Sequence, residues 1–176
     1  MPFILDTKEM IPNTSQLLGG ILAMVFLPFL IQERIGFAGM ICGFPETGKV
    51  AITRSDKVIQ TFRVTQVASK ESQRKGLMHC PFLHPGTGML FTFPDARQRT
   101  FWMKNTLIEL AIVFISAEGR IVAIERGRPG SRSRIRSPEK IQSVLEINFR
   151  ESVRLAIGDS VQLGLDAGVS DSNTWP

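Results

Sequence analysis

The chain has 176 residues, 43% of them apolar, with 15 glycines, 10 prolines and a net charge of +5. This composition fits one globular domain with an appendage and excludes a low-complexity chain. With 12 Phe, 2 Trp and no Tyr, a sugar-stacking platform is disfavoured, because such platforms lean on rings with a polar tip. Two cysteines, Cys42 and Cys80, allow one bridge at most.

Residues 10–31 carry no charge, and 17–31 are nearly all apolar. As a helix this stretch would reach about 30 Å, the thickness of a hydrocarbon core. Gly19, Gly20 and Pro28 would weaken a soluble helix but are tolerated in a membrane. The segment reads as a signal peptide or a retained anchor, and residues 1–43 are assigned to it and its linker. Counted alone, the flanking charges would put the following domain in the cytoplasm.

From Phe44 to Gly48 the chain is a loop, and thereafter it turns β-like. Strands are predicted at 49–54 and 58–68, joined by a turn at Asp56-Lys57. Residues 69–78 read as a short helix capped by Ser69 and ended by Gly76. A Pro/Gly loop over 79–88 leads to a strand at 89–93 and a turn at Pro94-Asp95. A hairpin follows, with strands at 110–115 and 120–125 about Ala117-Glu118-Gly119. After a basic loop over 126–138 come a strand at 143–148, a short helix at 151–157 and a strand at 160–165. Residues 166–176 form a polar tail. The fold class is therefore mainly β with two short helices, a compact barrel-like domain over 44–165. Closure would remove the exposed sheet edges.

Residues 101–115 are the centre of the chain. Leu110 to Ile115 suits a strand buried on both faces. Just before it stands a compact polar run, Lys104-Asn105-Thr106, held close to the hydrophobic centre. Lys supplies charge and Asn and Thr supply directed hydrogen bonds. Trp102, Lys104, Asn105, Thr106 and Glu109 are therefore the candidate ligand-binding residues, for a small polar or anionic ligand. A purely structural polar cluster competes with that reading.

The order of features resembles the bacterial and archaeal domain of unknown function numbered 192. The resemblance runs through Gly76-Leu77-Met78, Gly88-Met89-Leu90-Phe91-Thr92-Phe93-Pro94 and Phe101-Trp102-Met103-Lys104-Asn105-Thr106. It continues with Gly119-Arg120-Ile121-Val122, Ser137-Pro138, Val144-Leu145-Glu146-Ile147-Asn148 and Gly158-Asp159, covering about residues 58–165. It implies a compact, mainly β, barrel-like domain behind a signal peptide or anchor, and no established reaction. It therefore favours an exported or membrane-tethered domain on the outer face of the cytoplasmic membrane. Departures from the family pattern are Ala111 where an acid is usual, Gln73 and Cys80 where arginines are common, and Phe149-Arg150 for Ala-Gly. Either Lys104 is then more exposed, or Glu109 replaces the missing acid.

Five arginines, Arg126, Arg128, Arg132, Arg134 and Arg136, fall in one stretch without an acidic residue. They are candidates for contact with anionic membrane or envelope polymer. Nucleic acid is not expected, since no aromatic is interleaved and no recognition module is present. His79, Cys80 and His84 lack the ligands that would complete a zinc site, so no metal is assigned, and no motif calls for a cofactor. The functional expectation is a non-catalytic binding module in the cell envelope. The alternatives are a hydrolase or lyase using Lys104 with a carboxylate, or a diverged copy whose motif only holds the fold.

Overall fold

Leu110–Ile115 forms a strand in which all six residues are buried, and its side chains divide between two cores. Ile112 and Phe114 join a cluster with Met89, Phe91, Met103 and Val144, while Ala111, Val113 and Ile115 join one with Val50, Phe62, Leu145 and Ile147. That division is why the run shows no polar alternation: both faces of the sheet are covered.

The computed structural model describes residues 39–165. In chain order the elements are β1 (Met40–Ile41), β2 (Phe44–Pro45), β3 (Gly48–Arg54), β4 (Lys57–Val67), α1 (Lys70–Lys75), β5 (Thr87–Arg97), β6 (Thr100–Phe101) and β7 (Leu110–Ile115). They continue with β8 (Ile121–Gly127), β9 (Ile135–Arg136), β10 (Ile141–Asn148), a 3-10 helix (Phe149–Arg154) and β11 (Ser160–Leu165). Seven strands form one curled sheet in the order β11-β3-β4-β5-β10-β7-β8. The hydrophobic segment and the polar tail lie outside the described residues. Among the described residues, no helix is long and apolar enough to cross a membrane.

The barrel expected from the sequence is only half made. The two edge strands meet at one corner, where Arg120 bridges Ser160 and the Val161 amide donates to the Gly119 carbonyl at 2.7 Å. A barrel needs a ladder along the whole seam, and among the described residues the pairing is confined to that corner. Arg54 braces it with a two-pronged hydrogen bond to the buried Asp159 carboxylate at 2.7 and 2.8 Å. The Arg54 bond holds that carboxyl below the usual range.

β4 and β5 pair in parallel, which demands a crossover, and α1 supplies it. Ser69 caps this helix, its hydroxyl accepting from the Ser72 amide at 3.1 Å, and Gly76, at φ 48°, ends it. Three expectations are corrected. Pro94-Asp95 is no turn: β5 runs on to Arg97, and its register against β10 shifts between the Thr92–Ser143 and Arg97–Ile141 pairs. Pro94 sits in the resulting bulge, where a missing N–H is tolerated. The second helix is a 3-10 turn over Phe149–Arg154 rather than a helix over 151–157. Ser152 bonds back to the Phe149 carbonyl at 2.7 Å, and the Leu155 amide donates to Ser152 at 2.9 Å, tightening the turn. The β3–β4 turn falls on Ser55 and Asp56, both at positive φ, one residue earlier than predicted.

Cys42 and Cys80 form a disulfide with 5.3 Å between their Cα atoms. It ties the β1–β2 hairpin to the loop after α1, and Ile41 reaches the core beside it.

Candidate functional site

β10 enters the sheet between β5 and β7, and its residues alternate between the two cores. Glu146 falls on the face of Val144, directly opposite Met89 on β5 and Ile112 on β7. It is 6% exposed, and among the described residues its carboxylate has neither an ion pair nor a hydrogen bond. Burial alone pushes the carboxyl up to about 8, so at neutral pH it is an uncharged acid. A largely buried carboxylic acid that no protein group meets, and whose oxygens are not fully enclosed, must be open to water or ligand on some side. This one lines an open cleft.

The cleft encloses ≈ 570 Å³, a volume suited to a small organic ligand. Phe91, Phe93, Phe101 and Trp102 form its aromatic wall, with Phe91 edge-on to Phe101 at 5.5 Å. Thr106 lines it too. That residue is 5% exposed; its amide donates to Met103 at 3.0 Å and its carbonyl accepts from Gly130 at 2.9 Å. Its hydroxyl, like the Glu146 carboxyl, has no partner among the described residues.

Five cations edge the cleft: Lys70, Arg74 and Lys75 on α1, and Arg97 and Arg99 at the end of β5. Lys75 lies 4.6 Å from the Phe44 ring centroid. Arg99 stacks on Phe93 at 3.6 Å and shares Asp95 with Arg97, at 2.8 and 3.3 Å. Its hydrogen bond to Asp95 is the largest cause holding that carboxyl below the usual range. Lys70 and Arg74 have no partner among the described residues. Among the described residues the cleft lining holds these five cations and no carboxylate but Glu146, so the rim is positive while Glu146 is neutral.

The five residues singled out in the sequence are not brought together. Trp102, half exposed, and Thr106 face the cleft. Lys104 lies outside the lining, its Nζ 5.4 Å from the Trp102 ring centroid. Asn105 is exposed at φ 59°, a left-handed conformation that Asn tolerates, and its carbonyl accepts from the His79 amide at 2.8 Å. Glu109 binds Arg126, with contacts of 2.6 and 2.7 Å. It lines a separate cavity of ≈ 430 Å³ beside Phe82, Ile108 and Phe149. Glu109 therefore does not meet Lys104, whose own position is partly exposed. Ala111 lies directly opposite Arg126 in the β7–β8 register, and Glu109, two residues earlier, is the carboxylate that meets Arg126.

The basic loop is laced along the motif. Ile135 and Arg136 pair with Phe101 and Thr100, and the Met103 amide donates to Ser131 at 3.0 Å. Arg136 binds Gln98 at 2.6 Å, and Arg126 also lies over Phe149 at 4.8 Å. Arg128, Arg132 and Arg134 are exposed and without side-chain partners among the described residues. Of the His79, Cys80, His84 set, Cys80 is taken by the disulfide and His84 packs edge-on to Phe82 at 4.9 Å. Among the described residues no group of three or more His, Cys, Asp or Glu is placed to hold a metal ion.

In the sequence Glu146 stands out only as part of the Val144–Asn148 run of the resemblance. Its signal was an ionisable residue on a strand otherwise apolar from Val144 to Ile147, in a position where charge is rarely left unpaired.

Residues 50–163 match the model of the family DUF192, described as an uncharacterized ACR. The chain belongs to the DUF192 family. The DUF192 match takes in the strands and loops that build the cleft. Two solved structures share the fold. One is a protein of unknown function from Novosphingobium aromaticivorans DSM 12444, with TM-score 0.64 and 29% identity, covering 68% of this chain and 86% of the other. The second, from Sinorhizobium meliloti 1021, is described provisionally as a transcription regulator, with TM-score 0.63 and 31% identity, covering 66% of this chain and 93% of the other. No curated protein matches the chain in sequence.

Proposed function

We propose that this DUF192 domain is a binding module for a small organic anion, held in the cleft between α1, the end of β5 and the Trp102–Thr106 segment, on the outer side of the cytoplasmic membrane. The observation that carries the reading is the cleft itself: five cationic side chains at the mouth and four aromatic rings along the wall. Cations at the rim of a low-dielectric cleft concentrate anions and orient their charged end outward, while the rings take an apolar body. The central motif contributes Trp102 and Thr106 to this site. Lys104 acts through Trp102, against whose ring it sits. Arg128, Arg132 and Arg134 extend the positive surface alongside and offer a second contact to anionic lipid or polymer.

The outer-side placement is supported by the apolar stretch over 10–31 and by the Cys42–Cys80 disulfide, a bond that persists in oxidising compartments. The regulator description of the Sinorhizobium neighbour is not carried over. Among the described residues the α-helix has six residues, short for reading a major groove.

Calorimetry of the full chain with 2-naphthoate and its neutral isostere 2-naphthamide tests the reading. The anion should bind roughly tenfold tighter, equivalent to about 1.4 kcal/mol, and the paired change Lys70→Glu with Arg74→Glu should erase that preference. Both positions are exposed, so the fold should survive. Equal binding of anion and amide would sink the proposal.

A further inference from the structure

We propose that the Glu146 carboxyl and the Thr106 hydroxyl form a polar floor that selects organic anions bearing a hydroxyl or carbonyl group at the end remote from their charge. This inference rests on the anion-binding reading above and specifies the ligand class for the same cleft.

Two side chains, each more than nine-tenths buried, present polar atoms to one cavity with no partner among the described residues. Neither side chain is among those whose polar atoms are fully enclosed without a partner, so both are reached from outside, and both line the cleft, where water or a ligand meets them. Donor and acceptor counting defines what fits. A protonated carboxyl offers one O–H and further acceptor capacity, and a threonine hydroxyl offers one donor and two lone pairs. A ligand hydroxyl can accept from Glu146 and donate to Thr106; a carbonyl oxygen can accept from both.

The surroundings exclude the charged alternatives. An ammonium would have to pass Lys70, Arg74, Lys75, Arg97 and Arg99. A second anion at the floor would lie against Met89 and Ile112, the apolar residues flanking Glu146 across the sheet, with no cation bonded to that carboxyl. A neutral polar group is what remains. Once Glu146 ionises it can no longer donate, so the selection weakens in alkali. Among the described residues, the charged groups lining the same cleft besides Glu146 are those five cations.

The test is calorimetric titration of the full chain with 6-(hydroxymethyl)-2-naphthoate and 6-ethyl-2-naphthoate, which match in shape and differ in one hydroxyl. Near pH 6.5 the hydroxylated acid should bind at least roughly tenfold tighter to the wild type, and near pH 9.5 that advantage should shrink. Glu146→Leu and Thr106→Val each remove one polar group from a buried position; each should bring the two acids within about twofold of each other. Glu146→Gln keeps a neutral donor and should retain the advantage at both pH values. Equal binding of the two acids by the wild type, or a preference that survives both apolar variants, overturns the polar floor and leaves anion binding standing. If neither acid binds the wild type, both proposals fall together.

Discussion

Glu146 stands inside a strand where every other residue from Ser143 to Ile147 could be apolar without disturbing the ladder. Its burial has a thermodynamic consequence independent of any ligand. The folded carboxyl titrates at about 8 against an ordinary 4.5, so between these values the native state holds a proton that the unfolded chain has released. Stability therefore falls as pH rises through that window and levels off above it. Glu146→Gln removes the titration. Urea unfolding should show the variant and the wild type close together near pH 4.5. The variant should be more stable by up to about 5 kcal/mol near pH 9. A wild-type curve parallel to that of the variant across the window would mean that the carboxyl is hydrated or paired.

At the scale of elements, the parallel β4–β5 pair and the antiparallel β5–β10 pair both depend on Gly88. It pairs with Val64 on one side and Ile147 on the other. A Cβ there would lie 2.7 Å from the Glu146 carbonyl oxygen and 2.9 Å from Ile147 Cγ2. The nearer atom is backbone and cannot swing away, so Gly88→Ala should cost about 1–3 kcal/mol. Gly164→Ala on the edge strand β11, where the nearest atom is at 3.8 Å, should stay within about 0.5 kcal/mol. Denaturant midpoints of the two variants decide it; equal effects would show that β5 and β10 yield. The close approach also explains why a glycine opens the Gly88-Met89-Leu90-Phe91 run. Sequence reading found this run but cut its strand short at Phe93, because Pro94 looks like a terminator until β10 is seen to leave a bulge opposite it.

For the whole molecule, the disulfide is the tie that brings the start of the domain onto its body. It spans a sequence separation of 38, for which the chain-entropy treatment gives about 4 kcal/mol. Reduction, or the double change Cys42→Ser with Cys80→Ser, should lower unfolding stability by about 2–4 kcal/mol. Protein alkylated at the moment of cell lysis should take up no thiol label if the domain is exported. Free thiols in freshly lysed cells would contradict the outer-side placement, whatever the stability measurement shows.

By itself the sequence determined the β character, the order of the main strands, the Ser69 cap and the family. These are written in local signals: periodicity, turn residues and runs of contiguous motif. It also singled out Trp102 and Thr106, two residues that line the cleft. Tertiary structure alone decided the rest. Glu146 lies 40 residues beyond Thr106 in the chain and reaches the same cavity only because β10 inserts between β5 and β7. Glu109 turned to Arg126 rather than Lys104 because the β7–β8 register places Arg126 opposite Ala111. The seam of the sheet stayed largely open although the strand pattern suits a barrel. Alternation along a strand reports which face is covered; it carries no information about which strand lies alongside. Partners across a cleft, a seam or a disulfide are set by that neighbourhood.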